Sequence, residues 1–306
     1  MRLWLVFPLL VLGGASAQAQ LSCNTTSRFK GSTEPAALAV LTSLKGTVAM
    51  GGKGGCSGAL VTFHGRSASE PALVLSAGHC SEHGRAEVPI GKRSLTMPDR
   101  DEVLYHVSWR RPLTLETGNS NQPRTCIEAE EIVYATMSGV DVMLLQVSET
   151  YEQIEKRAGA TPFLVSPDAS FAPGFAVRIP SARWQNDRAC QVDATVDKLA
   201  EFRWLWGPVL RIRLADTCAT PHGVSGAPAI RADNNEVIGL FGTASDGNGA
   251  ACELNNPCEV APDGSKKAAV REQPYVHFVH AFYTCLDASR SVDLDVPGCL
   301  LPKPRP

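Results

Sequence analysis

The sequence predicts an all-β protein built as barrels or as a sandwich, and three observations carry that reading. Between residues 45 and 288 the chain is a series of short β-like runs broken by glycine, proline and polar turns: CSGALVTF, PALVLSAGHC, EEIVYATM, DVMLLQV, GFAVRIP, CQVDATVDKL, VLRIRL, APAIRA and EVIGLFGTA. In VLRIRL, Leu210, Ile212 and Leu214 share one face while Arg211 and Arg213 take the other, as in a strand with one wet side. In APAIRADNNEVIGLF, the turn Ala232-Asp233-Asn234-Asn235 is rich in residues that tolerate left-handed torsions, which makes the stretch a hairpin.

Bulk properties bound the rest. A chain of 306 residues with 44% hydrophobic content can bury a real core and is not disordered as a whole. A net charge of −2 argues against a nucleic-acid footprint or an anionic membrane partner. Arg2, an apolar run over residues 3–12 and then Gly13-Gly14-Ala15-Ser16-Ala17 have the layout of a secretory signal peptide, residues 1–17, with cleavage after Ala17 or Ala19. The run is too short to span a bilayer, so the expectation is a secreted or periplasmic protein with no membrane association once the signal is removed. Ten cysteines in an exported chain allow up to five disulfides. There is no C-x-x-C pair and no histidine at ligand spacing beside Cys252 and Cys258, so bridges are expected rather than a metal, and no cofactor is expected either.

Residues 18–44 read as an N-terminal extension carrying Cys23 and the glycosylation sequon Asn24-Thr25-Thr26. His79 follows the apolar strand of LVLSAGHC, where a base can be rigidly held, and Cys56, one hairpin upstream, is placed to bridge Cys80 beneath it. Asp141 heads the nearly all-apolar strand DVMLLQV; a carboxylate buried there without a partner is costly, and an imidazole donor would serve. Ser225 sits between Gly223 and Gly226 on a tight turn with free N–H groups that leads straight into the hairpin. Near the end, Val276, Val279, Phe282 and Leu286 recur at spacings of three and four, which predicts an amphipathic helix whose start reads equally as a last strand. His277 and His280 within it read as packing residues. Residues 289–306 read as an extended tail tethered only through Cys299.

A serine hydroxyl is a weak nucleophile near neutral pH; it needs a positioned histidine to take its proton and a buried carboxylate to orient that histidine. His79, Asp141 and Ser225 supply those three types. Together their segments resemble the trypsin/chymotrypsin-like serine peptidases: SAGHC is similar to that family's T-A-A-H-C box, DVML to D-I-A-L and GVSGAP to G-D-S-G-G-P, in the family's order. EVIGLFGTAS resembles the strand that lines the substrate cleft, and PYVHFVHAF the final strand running into a C-terminal helix. The resemblance implies two antiparallel six-stranded β-barrels with a C-terminal helix and an active site between them: residues 45–150 as the first barrel, 151–288 as the second with its helix, and 289–306 as a tail. It further implies Ser225 as nucleophile, His79 as general base and then acid, Asp141 as orienting carboxylate, and the amides of Gly223 and Ser225 as the oxyanion hole, acting on a protein or peptide substrate.

Departures from the family are specific. Val224 stands where digestive and clotting members carry an aspartate, and no I-V-G-G-like segment precedes the first barrel, so activation by that ion pair is excluded. The hole must be held by packing or other hydrogen bonds, as in the bacterial glutamyl-endopeptidase-like relatives, which the serine loop resembles more. Ala219 occupies the place of the aspartate that receives Lys or Arg in trypsin-like enzymes, although Asp216 is near. Thr220 matches a threonine or serine of glutamate-specific relatives, whereas Phe241 replaces their histidine. Gly242, Thr243 and Ala244 are expected to line the cleft and to accept a substrate backbone as an added strand. Cys218 is placed to bridge either Cys190 or Cys252, and Cys285 and Cys299 form a plausible local pair. The alternative reading, kept open by Val224 and Ala227, is a catalytically silent homologue that uses the cleft to bind protein. Nothing in the sequence speaks to oligomeric state.

Overall fold

The structure is a computed structural model that describes residues 23–51, 55–90 and 92–305; the signal-peptide reading falls on residues outside them. A short helix, α1 (Pro35–Ser43), carries its proline in the first turn, where a missing N–H costs nothing, and buries Leu41. Then come β1 (Thr47–Met50), β2 (Cys56–Thr62), β3 (Pro71–Ser76), the separate hairpin β4 (Ala86–Ile90) and β5 (Arg93–Met97), β6 (Val103–Glu116), β7 (Arg124–Thr136) and β8 (Val142–Thr150). The order β1-β6-β7-β8-β3-β2 closes because β2 pairs back onto β1, giving an antiparallel six-stranded barrel. Leu60, Val74, Leu113, Ile132 and Leu144 belong to its core. Closure removes the free edges that a flat sheet would expose.

Helix α2 (Tyr151–Ala158) starts where Thr150 and Gln153 form a reciprocal capping box, and it buries Tyr151 and Ile154. A two-residue strand, β9 (Phe163–Leu164), then adds to β2 in parallel. The remaining strands are β10 (Ala176–Ser181), β11 (Asn186–Val196), β12 (Leu199–Glu201), β13 (Trp204–Trp206), β14 (Val209–Ile212), β15 (Pro228–Arg231), β16 (Val237–Ala244), β17 (Cys258–Val260), β18 (Lys266–Ala268) and β19 (Pro274–Phe278). Six of them close a second antiparallel barrel in the order β10-β11-β14-β19-β16-β15. The other four form a sheet, β13-β12-β17-β18. An apolar cluster that includes Val88, Met97 and Met137 on one side and Leu199, Trp204 and Trp206 on the other packs this sheet against the β4–β5 hairpin. The barrel alternative to a sandwich is thus the one the chain adopts, in the two-barrel, chymotrypsin-like plan.

Three local expectations are corrected. Leu210 and Ile212 are buried and Arg211 turns outward to Asp193 and Glu259, but β14 ends at Ile212 and leaves Leu214 exposed beyond it. Val276 lies in β19, the last strand that the segment's start allowed, whose five residues are all buried, and the helix that follows, His280–Cys285, is a short 3-10 helix rather than an amphipathic α-helix. Of the periodic residues only Val276 is in the strand; Phe282 is buried within the 3-10 helix, and Val279 and Leu286 are its caps. The tail is docked rather than held by Cys299 alone: Leu294 and Leu301 are buried, the Asp293 amide donates to Cys285 O (2.8 Å), and Tyr134 Oη donates to Pro302 O (3.0 Å).

Five disulfides join Cys23 to Cys126, Cys56 to Cys80, Cys190 to Cys218, Cys252 to Cys258 and Cys285 to Cys299. Cys190 is therefore the partner of Cys218. Among the described residues no helix is long and apolar enough to cross a membrane.

Candidate active site

His79 lies in a 3-10 turn, Gly78–Ser81, that ends β3, and the Cys56–Cys80 bridge ties this turn to the start of β2. Asp141 immediately precedes β8 and is buried. Its two oxygens each accept one bond from the same residue: Oδ1 from the His79 amide (3.0 Å) and Oδ2 from His79 Nδ1 (2.7 Å). With Nδ1 as the donor, Nε2 is the basic nitrogen, and the His79 side chain remains one-fifth exposed. Burial pushes the Asp141 carboxyl up, yet the charge and hydrogen bonds of His79 outweigh it and hold the group below the usual carboxylate range. For His79, burial acts downward, but the Asp141 charge, its hydrogen bond and the more distant Glu201 carry the imidazole above 6.5.

Two further titratable groups lie beside this pair, and sequence reasoning missed their role. His277, on β19, is fully buried; its Nδ1 accepts from the Asp141 amide (3.4 Å), and its Nε2 has no hydrogen-bond partner among the described residues. Burial lowers it to about 4, so it is neutral at physiological pH. The Trp206 ring meets it edge to face at 5.2 Å. Glu201, at the end of β12, is 4% exposed; Oε1 accepts from the Asn255 amide (2.8 Å) and Oε2 has no partner. Burial raises Glu201 to about 7 against the Thr243 side chain and the Asn255 amide. The signal for Glu201 was the one used for Asp141, an acid beside an apolar strand, here in KLAEFRW.

Ser225 lies on the loop before β15, and cross-barrel bonds hold that loop. The Ser57 amide donates to Ser225 O (2.8 Å), Ser57 Oγ donates to Gly223 O (3.0 Å), and Ser76 Oγ donates to Ser57 O (2.7 Å). Ser225 O lies 3.9 Å from Cys80 Sγ, which brings the loop against the turn that carries His79. Gly223 and Gly226 adopt φ of +92° and +79°, torsions that L side chains rarely take. A Cβ on Gly226 would stand 2.2 Å from Ser76 Oγ and 2.3 Å from Ser57 O. The amides of Gly223 and Ser225 have no acceptor among the described residues, so two free donors flank the serine. Ser225 Oγ makes no hydrogen bond to His79 in this structure. Val224 is buried, which fits an apolar residue where an ion-pairing aspartate is missing.

The residues expected around the substrate divide into two groups. Ala219 is exposed and its carbonyl accepts from Arg188 Nε (2.5 Å); Thr220 Oγ1 is buried and has no hydrogen-bond partner among the described residues. Thr243 turns toward Glu201, and Ala244 is half-buried. Gly242 faces inward instead: a Cβ there would stand 2.2 Å from His277 Cδ2, so its lack of a side chain makes room for that ring. Phe241 belongs to the second-barrel core. Pairing on the β15 side of β16 ends at Phe241, whose amide donates to Ala227 O and whose carbonyl accepts from the Gly226 amide (both 2.8 Å), whereas Thr243 and Ala244 pair with β19 on their other edge, leaving one edge of that stretch open to an added strand. Cys56, His79 and Cys80 are the only candidate metal-ligating cluster among the described residues, and both sulfurs are spent in the disulfide.

No protein-family model matches the sequence, and no curated protein matches it. Among solved structures, the chain is similar to the MamO protease domain from Magnetospirillum magneticum in its apo form (16% identity over 80% of this chain and 98% of that one, TM-score 0.46). It is also similar to the thermostable serine protease AL20 from an extremophilic microorganism (14%, 78% and 92%, TM-score 0.44) and to a Glu endopeptidase (12%, 76% and 87%, TM-score 0.37). At these identities and scores the likenesses carry no conclusion about activity.

Proposed function

We propose that this chain is an exported serine endopeptidase that cleaves peptide bonds through an acyl-enzyme. The observation that carries the reading is the orphaned pair of amides at Gly223 and Ser225, on a serine loop packed against the turn of a histidine already oriented by a buried carboxylate. Ser225 Oγ attacks the scissile carbonyl carbon while its proton passes to His79 Nε2, and the oxyanion is held by the two free amides. The same proton then goes to the leaving amine as the C–N bond breaks, leaving an ester on Ser225. Water repeats the sequence, with His79 as base, and releases the acid. Asp141 holds the imidazole tautomer and stabilises its charged form throughout. Thr220, Thr243 and Ala244 meet the substrate, and Ala219 in place of an acid disfavours Lys or Arg at the cleavage site. Neither metal nor cofactor has a part in these steps. The signal-like residues 1–17 and the five disulfides support export to an oxidising compartment.

A second reading, a silent homologue that binds protein in the cleft, is favoured by one observation, the missing bond between Ser225 Oγ and His79. A fluorophosphonate probe separates the two. Labelling of the wild type and none of Ser225→Ala supports the enzyme; a folded wild type that stays unlabelled supports the silent homologue. A peptide-library cleavage profile then defines the specificity.

A further inference from the structure

What holds the oxyanion peptide in place of the missing ion pair can be followed bond by bond. Both carbonyls flanking the Gly223 amide nitrogen and Cα are engaged: His222 O accepts from Trp184 Nε1 (2.9 Å) and Gly223 O from Ser57 Oγ (3.0 Å). A trans peptide carries its C=O and N–H on opposite edges, so the indole bond to His222 O turns the Gly223 N–H to the other side. Gly223, at φ +92°, has the freedom to flip, so its partners decide which way it points. Trp184 itself is 48% exposed, and water competes for its N–H. The bond persists only where the turn that carries Trp184 is held.

That turn, residues 182–185, is held by the N-terminal segment. Arg28 donates twice to Gln185, through its amide to Oε1 (3.2 Å) and through its guanidinium to the carbonyl (2.5 Å), and Gln185 Nε2 donates to Ser27 Oγ (2.6 Å). Gln185 takes φ +48°, a torsion that needs such support in a residue other than glycine. Arg124, buried on β7, donates to Ala182 O (2.5 Å), Thr26 O (2.9 Å) and Glu116 Oε1 (2.6 Å), joining turn, segment and first barrel. The Cys23–Cys126 bridge anchors the segment two residues from Arg124. On the other side, the Trp184 amide donates to Ser181 Oγ, which shares a bond with Ser57 Oγ.

We propose that residues 23–31 are a built-in brace of the oxyanion hole and that Trp184 is its positioning residue, turning the Gly223 amide into the cleft. The proposal rests on the serine-peptidase reading. Its test compares wild type, Trp184→Phe, which keeps the ring and deletes the N–H, and a brace variant, Arg28→Met with Cys23→Ser and Cys126→Ser. Three readouts are taken: fluorophosphonate labelling rate, kcat and KM on a peptide amide, and hydrogen exchange of residues 219–226. Deleting a hole donor outright costs about 10²–10³ in rate, so misorienting one is expected to lower kcat about tenfold or more with KM within about twofold. The two changes combined should cost no more than the larger alone, because they act on one bond. Exchange of residues 219–226 should quicken in both variants, and Arg28→Lys, which keeps a donor, should recover part of the loss. Losses that multiply, kcat unchanged in Trp184→Phe, or unaltered exchange would overturn the brace. If the wild type itself is unlabelled, the peptidase reading falls, and the exchange result alone decides whether the brace holds. Should the brace variant not fold, Arg28→Met alone, which leaves the Cys23–Cys126 bridge intact and removes the guanidinium bond to Gln185 O, carries the same decision.

Discussion

The two sides of the cleft are held in opposite ways. On the first barrel, His79 and Asp141 are fixed by covalent and short-range means: a disulfide at the adjacent Cys80, a strand starting at Val142, and two bonds within the pair. On the second barrel the serine loop is irregular and joins a strand only after the serine, where the Gly226 amide donates to Phe241 O of β16. Its carbonyls at His222, Gly223 and Ser225 are held by Trp184 and Ser57, from another turn and another barrel. On the serine-peptidase reading, the difference teaches that a base can be placed by its own sequence neighbours, whereas an oxyanion loop without an ion pair must borrow its order from a distance. The first side should fail only when its own chemistry is removed, and the second when any lender is.

The largest effect is therefore expected at Asp141. Asp141→Asn should leave the barrel folded but present the wrong imidazole tautomer, lowering kcat on a peptide amide at neutral pH by about 10⁴. A fall below about tenfold would mean that His79 is oriented by something else. Next comes Gly226→Ala. Its Cβ would enter the space of Ser76 Oγ and Ser57 O at a positive φ, so the loop must move; kcat/KM should fall about 10²-fold, with loss of stability in denaturant titration. Smaller still is Ser57→Ala, which removes the hydroxyl bond to Gly223 O but keeps the amide bond to Ser225 O. An effect of about tenfold on kcat is expected, and a silent substitution would show that the hydroxyl bond to Gly223 O does not steady the loop.

The same contrast explains what the sequence disclosed. The boxes around His79, Asp141 and Ser225 are short strings in which the functional residue is defined by its immediate neighbours. The β class was legible through many short apolar runs, which left barrels and sandwich open, and the two closed barrels followed only from the resemblance carried by the three boxes. Ser57, Trp184 and His277 were not legible, since each matters through a partner more than 35 residues away that no local pattern marks. At Gly242 the sequence could not disclose that His277 fills the space where a side chain would stand, since that ring comes from a strand more than 30 residues away. The C-terminal segment was legible as a last strand running into a helix, but not the helix type, which is a short 3-10 one. Docking of residues 289–305 depends on the apolar Leu294 and Leu301 finding the first barrel, a long-range event.

The smallest predicted effect sharpens the comparison most, because Glu201 belongs to the second side yet acts on the first. Its folded value of about 7 lies above the ordinary 4.5, so between those pH values the folded chain keeps a proton that the unfolded chain releases. The stability this supplies is fully present below about pH 4.5 and is lost as the pH rises through about 7. Its size, at about 1.4 kcal/mol per unit, is about 3 kcal/mol. Glu116 shifts in the same direction, also to about 7, so the difference between wild type and Glu201→Gln, rather than the slope of either, isolates the group. Ionised Glu201 favours the charged imidazole of His79. In Glu201→Gln, the acid limb of kcat/KM should therefore move to lower pH, while kcat on its alkaline plateau changes less than twofold to threefold, on the scale of a positioning effect rather than lost chemistry. A profile that superimposes on the wild type would show that the second barrel's acid does not reach the first barrel's base, and that the two sides meet only through the serine loop.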